Sequence, residues 1–158
     1  METILFYPVY LLIVFVLSLI YIPKRQYKEY LIYGLLTGAL VDIALVGFLS
    51  KVLRIMWFKN QGIFEVLGQH YLSPPSWAFT VMLYLYFLPR QRWFQYGYIL
   101  LFAWFSFSYG LMVRNCDLYD FKPLAYYIGA PFAFLGWWIF VTWFFLKTSP
   151  LAKKEDVP

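Results

Sequence analysis

GLLTGALVDIAL, residues 34 to 45, sets a single carboxylic acid, Asp42, inside a run of glycine, leucine, alanine and valine. The run extends as apolar sequence from Leu31 to Ser50 with no other charge, close to the roughly 20 residues a helix needs to cross a hydrocarbon layer about 30 Å thick. Working outward, comparable runs cover about Ile4 to Ile22, Pro75 to Pro89, Trp93 to Val113 and Leu124 to Leu146. The pattern predicts an all-α, polytopic transmembrane helix bundle of about five spanning helices in one integral membrane domain. Residues 147 to 158 form a polar C-terminal tail. A β-barrel is excluded because barrel strands alternate apolar with polar residues and number at least about eight, whereas these runs are continuously apolar.

Composition agrees. The 158 residues are 63% hydrophobic, 25% aromatic and only 13% charged, far from the balance of a water-soluble domain. The net charge of +5 belongs to membrane topology, because the lysines and arginines sit between and beyond the apolar runs, so no compact nucleic-acid patch is expected. The one cysteine, Cys116, has no partner in the chain, which leaves packing to hold the fold. The first run has no basic region before it and no small-residue cleavage site, and is expected to be an uncleaved anchor.

Positive charges concentrate in cytoplasmic loops. With the N-terminus outside, eight basic residues fall on the cytoplasmic side (Lys24, Arg25, Lys28, Arg90, Arg92, Lys147, Lys153, Lys154) and five opposite (Lys51, Arg54, Lys59, Arg114, Lys122). The expected location is a bacterial cytoplasmic membrane, N-terminus outside and C-terminus cytoplasmic. The longest connection, residues 51 to 76, mixes apolar with charged and amide side chains and is expected to lie along the membrane surface, with Trp57 and Phe58 at headgroup depth.

Gly34, Gly38 and Asp42 recur every four residues and share one helix face, the first pair as G-x-x-x-G, so this face is expected to be buried. The same reasoning marks Ala103, Ser106 and Gly110 on the fourth span and Gly129, Ala133 and Gly136 on the fifth as contact faces. Depth arithmetic along antiparallel spans puts Thr80 and Ser106 level with Asp42 and predicts a buried polar cluster of the three, with Tyr84 or Tyr109 near it. No basic residue falls within a span, so Asp42 is expected to be protonated and to donate a hydrogen bond. Such an acid ties helices together, binds a proton or cation, or holds a ligand.

His70, the lone histidine, and Glu65 lie in the long connection; with Asp42 they are the candidate catalytic residues. Asp117, Asp120 and Cys116 fall on the same side. Nothing in the spacing matches H-E-x-x-H, a clustered Cys/His site or a nucleophile elbow, so no metal and no cofactor is expected. "RNCDLYDFKP", residues 114 to 123, reads as a hydrophilic turn before Pro123, lacking the ligand density of a calcium loop.

"LPRQRWFQYGYILLFAWFSFSYGL", from Leu88, and the closing "WWIFVTWFFLKTSPLAKK" together resemble a group of small, uncharacterised five-helix membrane proteins of spore-forming Gram-positive bacteria. The resemblance implies the same layout and no catalytic residues. The expected function is that of a small, non-enzymatic membrane component, packing with a membrane-protein partner or a second copy of itself, or holding a lipidic ligand. The alternative is an intramembrane enzyme or proton-coupled carrier centred on Asp42.

Overall fold

Proline marks most of the helix boundaries. The structure, a computed structural model, describes residues 5–60, 62–66 and 69–154. Helix α1 (Phe6–Tyr21) stops where Ile22 turns extended, as the residue before a proline prefers, and α2 (Lys24–Val52) starts directly after Pro23. Helix α3 (Ser73–Tyr86) carries Pro74 and Pro75 in its first turn, where a missing N–H removes no helical hydrogen bond. Helix α4 spans Arg92–Asn115, α5 spans Ala125–Thr148 after Pro123, and a short α6 (Pro150–Lys154) follows an extended Ser149.

The chain is all-α in its body, and α2, α4 and α5 are each long and apolar enough to cross a membrane. Helix α2 begins seven residues before the apolar run, because Lys24, Arg25, Lys28 and Glu29 are good helix formers and extend it outward. Helices α1, of 16 residues, and α3, of 14, are about 24 and 21 Å long. Ile4, the expected start of the first span, lies outside the described residues.

Helix α3 is the hub. It packs against α1, α2 and α5, while α4 packs against α5. Its Val81, Met82 and Tyr84 are wholly buried. Gly34 and Gly38 bring α2 onto the α3 backbone: a Cβ at Gly34 would stand 2.5 Å from the Ala78 carbonyl oxygen, and one at Gly38 2.7 Å from that of Trp77. Between them α2 opens into a π-type turn over Gly34–Ala39. Side chains take up the carbonyls there, Thr37 Oγ1 donating to Tyr33 O at 2.8 Å and Trp137 Nε1 to Thr37 O at 2.7 Å.

Across the bundle, the fully buried Trp138 lies 4.3 Å from Tyr84 and 5.2 Å from Phe102 between ring centroids, filling the junction of α3, α4 and α5. The outer faces are apolar instead of polar, with Leu12 and Ile20 on α1, Leu40 on α2, Trp104 on α4 and Phe132 on α5 all exposed. A water-soluble bundle does the reverse.

Short strands close one end. Strand β1 (Met56–Phe58) pairs antiparallel with β4 (Tyr119–Phe121), Met56 opposite Phe121, and β2 (Glu65–Val66) with β3 (Gln69–His70), Glu65 opposite His70. The connection expected to lie along the surface is therefore built of strand pairs folded against the second long loop. The hydrophilic turn expected over residues 114 to 123 is likewise corrected: Leu118 and Tyr119 are buried. Tyr119 donates to Gly110 O at 2.6 Å. Lys59 Nζ lies 2.9 Å from Asp120 Oδ2 and 3.5 Å from Asp117 Oδ1, and Arg114 Nε donates to Asp120 Oδ1 at 3.0 Å. These contacts hold Asp120 down to a pKa of about 2, chiefly through the Lys59 hydrogen bond.

Candidate functional site

Beneath the strand cap, α2, α3, α4 and α5 diverge around a cleft of about 260 Å³. Leu45, Val46 and Leu49 of α2 form one wall, and Ala130, Ala133 and Phe134 of α5 the other. Nine aromatic residues line it. Small residues make the room: Gly129 and Ala133 lie along the cleft, and at Gly129, as at the exposed Gly136 outside its lining, an added Cβ would meet nothing within 4 Å. The α5 small-residue stripe, expected as a helix contact face, thus borders open space where its glycines lie. Gly110 of α4 is tight in contrast, with the hydroxyls of Tyr126 and Tyr119 seated where its side chain would be.

Asp42 reaches this cleft and is 7% exposed. Its Oδ2 accepts from Ser73 Oγ at 2.9 Å and from Gln69 Nε2 at 3.2 Å. Its Oδ1 accepts from no described residue, and among the described residues no lysine, arginine or histidine pairs with it. The hydroxyls of Tyr7 and Tyr109, both buried in the cleft wall, likewise have no hydrogen-bond partner among the described residues. Three buried polar atoms without partners among the described residues, on side chains lining a largely apolar cavity, are what a small-molecule site presents.

Thr80 and Ser106 are buried, but each belongs to a different knot. Thr80 bonds Tyr10 Oη at 2.8 Å and donates to Ser76 O at 2.8 Å. Ser106 donates to Phe102 O and accepts from Trp138 Nε1 at 2.9 Å. Tyr84 bonds Thr142, tying α3 to α5. Depth along a straight span does not fix which side chains meet, since azimuth and tilt also count. The partners that sequence reasoning missed, Ser73 and Gln69, flank the turn before Pro74 and Pro75. A serine opening a helix one turn from the end of the bundle is the only signal that pointed to them.

His70 and Glu65 come together as a strand pair but not as an acid and base: Glu65 is exposed, whereas His70 is 1% exposed. His70 stacks on Tyr7 at 4.0 Å between centroids and on Phe64 at 5.4 Å, and its Nδ1 accepts from Leu72 N–H. It braces the cleft through Tyr7. Among the described residues no three His, Cys, Asp or Glu side chains gather to hold a metal, and Asp117 and Asp120 serve Lys59 and Arg114 instead.

Burial pushes the His70 imidazole down from its ordinary 6.5 to about 4. Between those two values the unfolded chain binds the proton and the folded chain does not, so stability falls as pH drops through 6.5 towards 4. The slope is at most about 1.4 kcal/mol per pH unit. Asp120 stays ionised in the folded chain throughout that window. Thermal unfolding in mild detergent at pH 7 and pH 4.5 is expected to show a more adverse change with falling pH in the native chain than in His70→Phe. Equal losses in both would show that His70 is not the group responsible.

No protein-family model matches the chain, and neither does any curated protein or solved structure.

Proposed function

We propose that the protein is an integral membrane component that crosses the bilayer five times, N-terminus outside and C-terminus in the cytoplasm, and holds a lipidic ligand in the cleft beside Asp42. The observation that carries this reading is the cleft itself: an apolar, aromatic cavity lined also by Asp42, Tyr7 and Tyr109, whose Oδ1 and hydroxyls have no hydrogen-bond partner among the described residues. Such a cavity suits an apolar chain, and the three polar groups suit a head group that donates and accepts hydrogen bonds.

Helices α2, α4 and α5 supply three crossings, and α1 and α3 supply the other two. Both fall short of a hydrocarbon core of about 30 Å, but α3 is shielded by its neighbours, and local thinning accommodates α1. Lys147 lies 5.0 Å over the Trp143 ring, an arrangement suited to a headgroup boundary at the C-terminal end of α5. Binding without chemistry is favoured over catalysis because His70 packs behind Tyr7 and no base among the described residues pairs with Asp42.

Native mass spectrometry after purification in mild detergent tests the reading. The wild-type protein is expected to carry a bound lipid, and Ala133→Phe, which fills the cleft from α5, to lose it while remaining folded. A lipid-free wild type, or a variant that keeps its lipid equally well, would sink it.

A further inference from the structure

Asp42 is an acid without a base. The sequence predicts a protonated acid donating within the bundle, but Asp42 donates to no described residue, and two neutral donors, Ser73 and Gln69, converge on its Oδ2. Oδ1 accepts from no described residue, and no basic side chain among the described residues pairs with Asp42, which lines the cleft. Aromatic side chains make up much of the same lining. Trp77 stands edge-on to Tyr109, 5.5 Å away at 74°, and to Trp137, 5.0 Å away at 63°, so the rings meet as walls and not as a stack. All three line the cleft with Asp42 and Tyr7. A cation among these rings gains from each ring face it reaches, and gains most where it is desolvated. A carboxylate behind an aromatic box is complementary to one kind of charge.

We infer that the head group taken by this cleft is an organic ammonium ion: its positive charge faces Asp42 Oδ1, its substituents lie against Trp77, Tyr109 and Trp137, and its apolar remainder occupies the space beside Ala133. The inference rests on the ligand-holding reading above and narrows it, since an anionic or neutral amphiphile would fill the same volume without answering the acid. The ligand supplies the cation that no described residue brings to Asp42. Binding leaves no net charge inside the bundle, which is the condition under which a buried acid is least costly.

The probes are benzyltrimethylammonium and neopentylbenzene, which share a shape and differ in one positive charge. Binding is read by equilibrium dialysis against the protein in nanodiscs of phosphatidylglycerol. The cation is expected to bind at least about tenfold more tightly than the hydrocarbon, and Asp42→Asn, which keeps an acceptor for Ser73 and Gln69, to erase that preference. Ala133→Phe is expected to remove both. Displacement of the cation by phosphatidylethanolamine added to the bilayer would identify a lipid head group as the source; its persistence would identify a free amine. Equal binding of the two probes, or preference for the hydrocarbon, overturns the inference while leaving the lipid-holding cleft intact. Binding of neither probe also overturns it, and lipid retention by the same sample in native mass spectrometry then reports on the broader reading separately. Should Asp42→Asn fail to fold, the wild-type comparison of the two probes still decides.

Discussion

Gly38→Leu is expected to abolish recovery of the folded protein, or to lower its thermal midpoint more than any surface change. Already the first atom of a side chain at this position would stand 2.7 Å from the Trp77 carbonyl oxygen and 2.9 Å from the Ala78 Cα. Both are backbone atoms of α3, the helix against which α1, α2 and α5 pack, so neither can swing aside as a side-chain tip would. Overpacking a tight core typically costs about 1 to 3 kcal/mol, and a rigid neighbour puts this case at about 3 kcal/mol or more. The contact also positions the cleft, because Asp42 lies one turn beyond Gly38. Gly136→Ala is the matched control. Nothing lies within 4 Å of a Cβ there, and exchanging glycine for alanine in a helix favours the fold by about 0.5 to 1 kcal/mol. Circular dichroism melts of both variants in mild detergent give the comparison. A Gly38→Leu melt that overlays wild type would mean that α2 and α3 are not in backbone contact.

Trp138→Ala is the second large effect. Trp138 is 0% exposed, enclosed by Tyr84, Phe102 and Trp137, and donates from Nε1 to Ser106 Oγ at 2.9 Å. Truncating a buried tryptophan removes dispersion contacts and leaves a cavity, for about 3 to 5 kcal/mol in protein cores. In detergent the water-transfer part shrinks and the cavity part remains, so the expected loss is about 3 kcal/mol. Trp138→Phe keeps most of the packing and drops one hydrogen bond, and is expected to cost about 1 kcal/mol. Chemical or thermal unfolding in detergent separates the two. Near-equal losses for both variants would assign the role to the hydrogen bond; no loss in Trp138→Ala would mean that the α3–α4–α5 junction does not hold the bundle.

Which parts of this could be read in advance follows from how far each signal reaches along the chain. The helices were legible because each is a long apolar run, and each boundary proline acts on its immediate neighbours. The burial of the Gly34, Gly38 and Asp42 face was legible because positions four apart share a helix side. The strand cap was not: strands of two or three residues have no period, and β1 meets β4 across some sixty residues. Nor were the partners of Asp42. Gln69 and Ser73 reach it only because the segment between α2 and α3 folds back over the bundle end.

By itself, then, the order of residues determined an all-α chain with helices fit to cross a membrane and a lone acid on a buried face, since apolar run length and helical period are local properties. Only the tertiary structure decided that Thr80, Ser106 and Asp42 sit in separate knots, that Gly129 and Ala133 of α5 border a cleft, and that Asp42 shares that cleft with aromatic side chains. Those outcomes depend on helix rotation and tilt, which are set by packing between segments far apart in the chain.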